Sequence, residues 1–428
     1  MRVTFVVPRY GTEIIGGAET AARLLAEHLV AQQGWEVEVL ATCAADFVTW
    51  EDHYPPGVET VNGVTVRRFV SAHGREPSFH PCSARLLADP EHAPLADAEE
   101  WLDLQGPVSP DLVAAATSAS PDAFVFYPYL YHPTVRVIGL VDRPAILHPA
   151  AHDEPALRLP IFPAVFAAAD ALVFQTAAER SLVQQLFPVA TTLQLHLGLG
   201  VDEPGDHPGT PGGSACVPDA PYLLCLGRVD RHKGAHLLAS LFAAYKERRP
   251  GPLRLVLAGP VVDAPPPHPD IDLLGPVDEA AKWQLLAHAL ALVSPSPWEA
   301  FSLVVAEAWS AGRPVVVHAG CAATVEHCRR SGGGLAFGGF GQFEAAIDRL
   351  AGDAAFASLL GARGLAYVED RFRWPAVVDR YARFVEIVAG RGGLRRRPSS
   401  GLRGQAAPPT RRQDARDRAR HRAAAAGE

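Results

Sequence analysis

Short apolar runs alternate with amphipathic stretches along the chain from its first residue to about residue 320. Runs that are apolar at successive positions are typical of parallel strands that are covered by helices on both faces. Amphipathic stretches such as residues 18–33 fill most of the gaps, so the pattern predicts repeated strand–helix–strand units and an α/β fold with doubly wound sheets. The predicted strands span residues 3–8, 37–43, 64–70, 122–128, 144–149, 171–176, 191–198, 222–229, 253–259, 271–277, 291–296 and 314–319.

A Pro- and Gly-rich segment divides these predicted elements into two groups. Residues 202–221 precede a new strand and have the composition of a linker between domains. We therefore predict one doubly wound domain over residues 1–201, a second over 222–374, and a helix at 375–390. Residues 72–108, rich in Pro, His and Ala, show little periodicity and have no clear place in either sheet.

The composition is ordinary for a globular enzyme but contains one charge asymmetry. The 428 residues are 48% hydrophobic and 20% charged, and a chain of this length normally forms more than one domain. The formal net charge is −8, although residues 391–428 contain eleven Arg against Asp414, Asp417 and Glu428. That segment has almost no large apolar residues, so we predict a disordered basic tail. The remaining body is strongly acidic, which argues against nucleic acid as the main partner.

The cysteines and the apolar runs bear on location and on metal binding. The six Cys, at positions 43, 82, 216, 225, 321 and 328, form no C-x-x-C pair, and the N-terminus resembles a first strand and not a signal peptide. We therefore predict reduced thiols in a cytoplasmic protein, with peripheral contact at the inner membrane face as the alternative. No apolar run reaches the ~18 residues of a membrane-spanning helix. Cys321, His327 and Cys328 lack a second pair at ligand spacing, so no metal site is predicted.

The first candidate site is the sequence LGRVDRHKG, residues 226–234, between a predicted strand and a predicted helix. A glycine-containing turn that opens a helix can direct backbone N–H groups at an anion. Arg228 and Lys233 add two cations to this turn, and Lys233 is one of only three lysines in the chain. The turn therefore suits a diphosphate, with a solvated basic loop as the alternative.

The second candidate site, SPSPWEAFSLVVAE, contains Glu299 and Glu307 among small and apolar residues. An unpaired buried carboxylate is costly, so we expect these carboxylates to have a partner that the sequence does not contain. Ser302 is a credible N-cap, and the free N–H groups of Phe301, Ser302 and Leu303 would face a ligand beyond the carboxyl end of the preceding strand. Carboxylates there suit a ligand with many hydroxyl groups, because each accepts hydroxyl hydrogen bonds.

Several motifs in order resemble the retaining glycosyltransferases of family four, which have the GT-B fold. They are GRVDRHKG, the E-x7-E of EAFSLVVAE some 65 residues later, and AWSAGRPVV. The likeness covers roughly residues 1–390. It implies two Rossmann-like domains that face a central cleft, acceptor side first and donor side second, with the helix at 375–390 packed on the first domain.

The resemblance also implies roles for the residues of the donor site. Arg228 and Lys233 would hold the donor diphosphate, Glu299 would contact hydroxyls of the donor sugar, and Glu307 would bind the ribose. The amides of Phe301, Ser302 and Leu303 would help to hold the phosphates and the sugar. The family's usual E-x-F-G is E-A-F-S here, so Ser302 stands in place of a glycine.

The N-terminal half carries further likenesses. The sequence RYGTEIIGGAET is similar to the family's glycine loop, which implies that Gly16 and Gly17 approach the donor phosphates and the acceptor; a plain strand–helix turn is the alternative. In ILHPAAHDEPALRLP, His152 matches the family's loop histidine better than His148, which is a candidate structural histidine. Asp153 either orients the His152 imidazole or begins the next turn. The sequences GLGVD (198–202) and GGGLAF (332–337) resemble the end of the first domain and a strand near the cleft.

The activity implied by the resemblance is transfer of a hexose or its derivative from a nucleoside-diphosphate sugar, with retention of anomeric configuration. The acceptor would be a hydroxyl of a glycan, a glycolipid or a small metabolite. His152, Arg228, Lys233 and Glu299 would carry the reaction, with no metal and no cofactor besides the co-substrate. A GT-B nucleotide-sugar epimerase and a non-catalytic nucleotide-sugar-binding homologue are the alternatives. Residues 72–108 are the expected place of acceptor contacts, and the tail would either attract an anionic membrane or be a neutral extension.

Overall fold

The computed structural model describes residues 1–14, 16–205 and 217–392, and Met1–Gly390 forms one compact unit. Most of the predicted linker that joins the two halves, residues 206–216, lies outside the described residues, and so does the predicted tail from residue 393 onwards. Among the helices of the described ranges, none combines the length and the apolar character that crossing a bilayer requires.

The first sheet has eight strands. In chain order they are β1 (Arg2–Val6), β2 (Glu36–Thr42), β3 (Gly57–Val61), β4 (Val64–Phe69), β5 (Ala123–Phe126), β6 (Ala145–Leu147), β7 (Ala171–Phe174) and β8 (Leu193–His196). Their order across the sheet is β3-β4-β2-β1-β5-β6-β7-β8, and every pairing is parallel except the hairpin of β3 with β4. Strands β5, β6 and β7 are buried at every position, so helices must cover both faces.

Seven helices accompany this sheet. They are α1 (Gly17–Gln33), α2 (Phe79–Leu86), α3 (Leu95–Gln105), α4 (Pro110–Ser118), α5 (His132–Val137), α6 (Phe162–Ala168) and α7 (Ala177–Leu186). Short 3-10 turns at Pro90–His92 and Pro155–Arg158 complete the connections. Residues 72–108, for which the sequence offers no place in a sheet, lie outside the sheet and mainly form α2 and α3, whose apolar sides pack on one face of it.

The second sheet has six strands, all parallel. They are β9 (Tyr222–Leu226), β10 (Arg254–Ala258), β11 (Ile271–Gly275), β12 (Ala291–Ser294), β13 (Val315–His318) and β14 (Gly334–Phe337), in the spatial order β11-β10-β9-β12-β13-β14. The chain steps outward from β9 in one direction and from β12 in the other. The switch point of this doubly wound sheet therefore lies between β9 and β12, where ligands of such folds bind.

Seven helices follow in the second half of the chain. They are α8 (Ala235–Arg248), α9 (Glu279–His288), α10 (Leu303–Ser310), α11 (Ala322–Ser331), α12 (Phe340–Gly352), α13 (Ala354–Arg371) and α14 (Trp374–Gly392). The last of them returns to the first half of the chain. The Trp374 ring stacks on His28 at 4.0 Å, Gln33 donates to the Asp379 carboxylate at 2.9 Å, and the apolar side of α14 joins the core beneath α1.

The predicted fold class is confirmed, because the chain forms two doubly wound sheets and a C-terminal helix that crosses back to the first. Each strand predicted from the apolar pattern is present within a few residues of its predicted bounds. The pattern does not predict the edge strand β3, whose first four residues are exposed. The residue bounds of the two domains stay a prediction.

Candidate active site

The loop between β9 and α8 is organised by Asp230, a residue that the sequence analysis does not single out. Its carboxylate accepts a hydrogen bond from Arg228 Nε, and its Oδ1 lies 2.7 Å from the backbone N of Lys233. Burial raises the pKa of Asp230, but the Lys233 amide and the Arg228 guanidinium outweigh this effect and hold that pKa below its usual value. The ionised carboxylate therefore fixes both candidate cations on one turn.

Lys233 connects this loop to the second candidate loop. Its Nζ lies 2.8 Å from Oε1 of Glu299, and their side chains are 39% and 18% exposed. The two residues follow β9 and β12, which are neighbours in the sheet. A partly exposed ion pair contributes little to stability. Its consequence is positional, because a cation and a carboxylate stand side by side at the switch point.

Ser302 occupies the N-cap position of α10, but it does not cap the helix through its side chain. Its backbone has φ +74° and ψ 81°, whereas a capping serine normally has an extended backbone. The Ser302 hydroxyl is buried without a hydrogen-bond partner among the described residues. The first N–H groups of a helix have no intrahelical acceptor. The left-handed backbone also explains why glycine suits this position, since other residues there cost ~1–2 kcal/mol.

Phe301 and Leu303 flank this unusual backbone and differ in burial. The Phe301 side chain is only 2% exposed and meets His327 and Phe372 edge-on in the core. Leu303 begins α10 and is partly buried. Phe301 therefore anchors the loop, and only its backbone amide, not its ring, is placed to serve a ligand.

Glu307 has a partner within the chain, so the expectation that the sequence does not contain one is wrong for this residue. Lys282, in the first turn of α9, lies 2.7 Å from Glu307 Oε1 and 2.7 Å from Glu279 Oε2. Burial raises the pKa of Glu307, and Lys282 offsets part of the rise. Burial lowers the pKa of Lys282, but Glu307 and Glu279 outweigh it and the net shift is upwards. No spacing rule connects Lys282 with Glu307, because they lie on different helices.

The two glycines of the N-terminal loop differ in their surroundings. A Cβ on Gly16 would lie 2.4 Å from Glu19 Oε2 and 2.9 Å from Arg9 Nη2, so Gly16 makes room for the Arg9–Glu19 ion pair of 2.8 Å. A Cβ on Gly17, in contrast, would meet no atom within 4 Å. Packing therefore accounts for Gly16, and approach of Gly17 to a ligand stays a prediction.

Phe47, in the loop after β2, joins the N-terminal loop to the loop after β9. The Arg9 guanidinium lies 5.3 Å from the centroid of its ring and the Arg228 guanidinium 4.8 Å. Cation–π contacts of this kind are worth ~0.5–1 kcal/mol at exposed sites. The sequence analysis misses Phe47, since an isolated aromatic residue in a loop carries no motif.

His152 faces the second half of the chain. Its ring centroid lies 6.0 Å from that of Trp298, the residue before Glu299, and its side chain is 29% exposed. The carboxylate beside the imidazole is that of Glu154, with 3.6 Å between Oε2 and Nε2. Asp153, the other candidate for this place, instead bonds Arg158 at 2.6 Å.

His148 is enclosed in the core of the first half. It is 1% exposed, it stacks on Tyr127 with 4.4 Å between ring centroids, and its Nε2 lies 3.0 Å from the Tyr381 hydroxyl of α14. Burial lowers the pKa of His148 to about 3, so the imidazole is neutral at physiological pH. These contacts are those of a structural histidine that holds α14 on the first sheet.

A capping box at the start of α7 links the loops of both halves. The Thr176 hydroxyl accepts a hydrogen bond from the backbone N of Glu179 at 3.1 Å and donates one to the carbonyl of Ala300 at 3.1 Å. Ala300 directly follows Glu299. The sequence signal was available as T-A-A-E, the pattern of a Thr N-cap with Glu three residues later.

Glu179 extends the same link to the loop of His152. Its Oε1 accepts a hydrogen bond from the backbone N of Ala151 at 2.9 Å. Burial raises the pKa of Glu179 to about 8, against the backbone N–H donors that lower it. From the other half, Glu326 of α11 accepts hydrogen bonds from the first amides of α7, those of Ala177 and Ala178, at 3.2 and 2.7 Å. The start of α7 therefore holds loops from both sheets in register.

The Cys321, His327 and Cys328 group lies in the core of the second half. The His327 Nδ1 is 3.2 Å from the Tyr367 hydroxyl, and burial lowers the pKa of His327 to about 3. Over the ranges that the structure describes, no three His, Cys, Asp or Glu side chains come together as a metal site would require.

Comparison with known proteins gives matches for the second half and for nearly the whole chain. Residues 220–353 match the family model described as glycosyl transferases group 1. The chain is 27% identical over 340 residues to D-inositol 3-phosphate glycosyltransferase 1 of Catenulispora acidiphila, a match that covers 70% of this chain and 72% of that protein.

Solved structures share the fold of the chain. Sucrose-phosphate synthase from Thermosynechococcus elongatus superposes with a TM-score of 0.66 at 17% identity, over 91% of this chain and 99% of that one. HepE from Anabaena in complex with UDP-glucose has a TM-score of 0.63 at 16% identity, over 90% and 100%. The group 1 match contains Arg228, Lys233, Glu299 and Glu307. The chain therefore has the GT-B fold and a glycosyl transferases group 1 domain at residues 220–353, and it is a glycosyltransferase of the GT-B type.

Proposed function

We propose that the protein is a retaining glycosyltransferase of family four that moves a sugar from a nucleoside-diphosphate sugar to a hydroxyl acceptor. The observation that carries this proposal is the pair of Lys233 and Glu299 at 2.8 Å, with Arg228 on the same turn as Lys233. A donor of this class needs cations for its diphosphate and a hydrogen-bond acceptor for its sugar, side by side. The switch point of the second sheet offers both.

The cations act on the leaving group. As the bond between the anomeric carbon and the diphosphate oxygen breaks, negative charge grows on the phosphate oxygens. Arg228, Lys233 and the N–H groups at the start of α10 are preorganised to stabilise that charge. The proposal includes no metal and no further cofactor, because these groups supply the positive charge that the leaving diphosphate needs.

The carboxylates hold the hydroxyl groups at the two ends of the donor. Glu299, beside Lys233, accepts hydrogen bonds from the sugar next to the anomeric carbon. Glu307 accepts hydrogen bonds from the ribose, and Lys282 keeps its carboxylate ionised and in position. Gly17, with open space beside it, lets the N-terminal loop approach the phosphates.

The acceptor attacks from the side of the leaving group. Its oxygen forms the new bond to the anomeric carbon, the bond to the diphosphate breaks, and the proton of the acceptor hydroxyl passes to the departing phosphate oxygen. His152, which faces Trp298 across from the donor loops, hydrogen-bonds the sugar or the acceptor near the reacting carbon. Retention of configuration follows, since attack and departure share one face.

The similar proteins support a nucleotide-sugar donor and a hydroxyl acceptor. HepE is known in complex with UDP-glucose, and the Catenulispora relative is named for transfer to D-inositol 3-phosphate, a polyol. UDP-sugars are therefore the first donors to test, followed by GDP- and ADP-sugars.

One assay tests the proposal against its alternatives. The protein is incubated with each donor, with and without a mixture of hydroxyl acceptors, and proton NMR follows donor hydrolysis, donor epimerisation and product formation. The proposal predicts a product whose anomeric configuration equals that of the donor. An inverted product would contradict retention, a donor epimer without transfer would indicate an epimerase, and binding without any turnover would indicate a non-catalytic homologue.

A further inference from the structure

Arg75, in the connection between β4 and α2, is a half-buried cation without a counter-ion. Its Nε is buried and has no hydrogen-bond partner, and among the described residues no carboxylate lies within ion-pairing distance, 4.0 Å, of its guanidinium. Its guanidinium carbon instead lies 4.7 Å from the centroid of the Phe79 ring. Burial lowers the pKa of Arg75, against the smaller opposing effects of Tyr131 and Asp46.

The acidic residues around Arg75 are engaged elsewhere. The Asp46 Oδ2 accepts hydrogen bonds from the backbone N and the hydroxyl of Thr49, at 2.6 and 2.8 Å. Glu76 lies 3.8 Å from the His73 ring. Proteins normally pair a cation that is withdrawn from water, because an unpaired one costs free energy. The Arg75 guanidinium therefore lacks the structural explanation that its neighbour Arg9 has in Glu19.

The position of Arg75 relates it to the proposed reaction centre. Its backbone N donates to the carbonyl of Thr49 at 2.8 Å, in the loop whose Phe47 contacts Arg228. On its other side stands Tyr131, whose pKa is raised by burial and then by Glu19, and on which Arg75 and Glu154 also act. Glu154 is the carboxylate beside His152. The sequence His152, Glu154, Tyr131, Arg75 thus leads from the reaction centre into the N-terminal half, away from the donor loops.

We propose that Arg75 binds an anionic group of the acceptor, a phosphate or carboxylate on a molecule whose hydroxyl reacts beside His152. This deepens the proposed function and rests on it. A guanidinium with unused donors matches the two oxygens of such a group, which is the strongest form of anion recognition by a side chain. The anion has two sources, a soluble phosphorylated polyol or the headgroup of an anionic lipid.

The test compares matched ligands and matched variants by titration calorimetry. The ligands are inorganic phosphate and two pairs, glucose with glucose 6-phosphate and glycerol with glycerol 3-phosphate. Arg75→Met removes the charge and keeps an apolar stem on Phe79. Arg85→Met is the control, since Arg85 is an exposed arginine on α2 near the same pocket. Every titration is repeated in a Lys233→Ala background, which removes phosphate binding at the donor loop.

The expected result is that each phosphorylated ligand binds at least about tenfold more tightly than its neutral partner to the wild type and to Arg85→Met. Arg75→Met loses this preference in both backgrounds and keeps its affinity for UDP. Vesicles of phosphatidylglycerol and of phosphatidylcholine identify the source, because only a headgroup site binds the anionic vesicles in an Arg75-dependent manner.

Three results would overturn the proposal. They are equal binding of the phosphorylated and neutral ligands together with no Arg75-dependent binding of phosphate or anionic vesicles, a preference that survives in Arg75→Met, and loss of UDP binding in Arg75→Met, which would indicate a structural role. The readout is binding and not turnover. An Arg75-dependent preference without sugar transfer would therefore reject the proposed function alone, and transfer without the preference would reject the anion site alone.

Discussion

The ammonium group of Lys233 lies 2.8 Å from the carboxylate of Glu299, although the two residues are separated by 66 positions in the chain. Each group therefore shields the charge of the other while the site holds no donor. A diphosphate that binds Lys233 must compete with Glu299, and a sugar that binds Glu299 must share it with Lys233. The two carboxylates of the site consequently differ, because Glu307 is paired with Lys282 and not with a cation of the diphosphate loop.

This difference predicts opposite effects of removing the two carboxylates. Glu299→Gln frees Lys233, so the affinity for free UDP should be at least that of the wild type, while kcat falls about tenfold or more. Glu307→Gln removes a ribose contact, so UDP and the whole donor should both bind about 10-fold or more weakly. Calorimetry and steady-state kinetics measure both effects.

Glu279→Gln is the control for the ribose contact. It touches the same Lys282 but is 55% exposed and has no proposed contact with the donor, so its UDP affinity should stay near that of the wild type. Identical binding and rate profiles for Glu299→Gln and Glu307→Gln would mean that the donor lies in another orientation.

The two histidines should separate stability from rate. His152→Ala should lower kcat by about 10²-fold, the usual scale for a positioned polar group, and leave the melting temperature nearly unchanged. His148→Ala should lower the melting temperature, because it removes the contact with Tyr381 and leaves a cavity beside Tyr127. A folded His148→Ala protein without activity, together with an active His152→Ala protein, would reverse these roles.

The capping box of α7 should affect both properties at once. Thr176→Val removes the cap of Glu179 and the bond to Ala300, so we expect a loss of about 1 kcal/mol in unfolding free energy together with slower transfer. Thr176→Ser, which keeps the hydroxyl, should resemble the wild type. Thr117→Val is the control, since its hydroxyl bonds only carbonyls of its own helix. Wild-type kinetics in a destabilised Thr176→Val protein would show that the link does not serve the reaction.

Three buried histidines predict an acid-labile fold. Burial lowers the pKa of His132 to about 4 and those of His148 and His327 to about 3. The unfolded chain takes up protons near pH 6.5 that the folded protein does not, so their contribution to stability is complete above that pH and is lost as the pH falls towards 4. Each such histidine contributes up to ~1.4 kcal/mol per pH unit.

Urea unfolding at pH 7, 6 and 5 measures this effect. His148→Gln should be less stable than the wild type at pH 7 but should lose less stability on acidification. The exposed His288 provides the control variant, His288→Gln, which should follow the wild-type slope. An unchanged slope in His148→Gln would show that His148 is protonated in the folded protein.

The sequence predicts the strands well because buried parallel strands are apolar on both faces, as in β5 and β7. It fails for β3, whose residues Gly57–Val61 are mostly exposed and carry no such pattern. The helices of residues 72–108 escape because Pro81, Pro90 and Pro94 interrupt their short apolar periods. Contacts between distant residues, such as Lys282 with Glu307 and Phe47 with Arg228, follow from the packing of separate elements. No local pattern indicates them.

The central claim is that Arg228 and Lys233 bind the diphosphate of the donor, and titration calorimetry with UDP, GDP and ADP tests it most directly. At least one of these nucleotides should bind the wild type, and Arg228→Ala and Lys233→Ala should each weaken it by about 10- to 150-fold, the loss of a charge-assisted contact. Arg231→Ala, on the same turn but 72% exposed and paired with Asp263, should bind like the wild type. Unchanged affinity in both folded variants, or no binding of any nucleoside diphosphate to the wild type, would contradict the account.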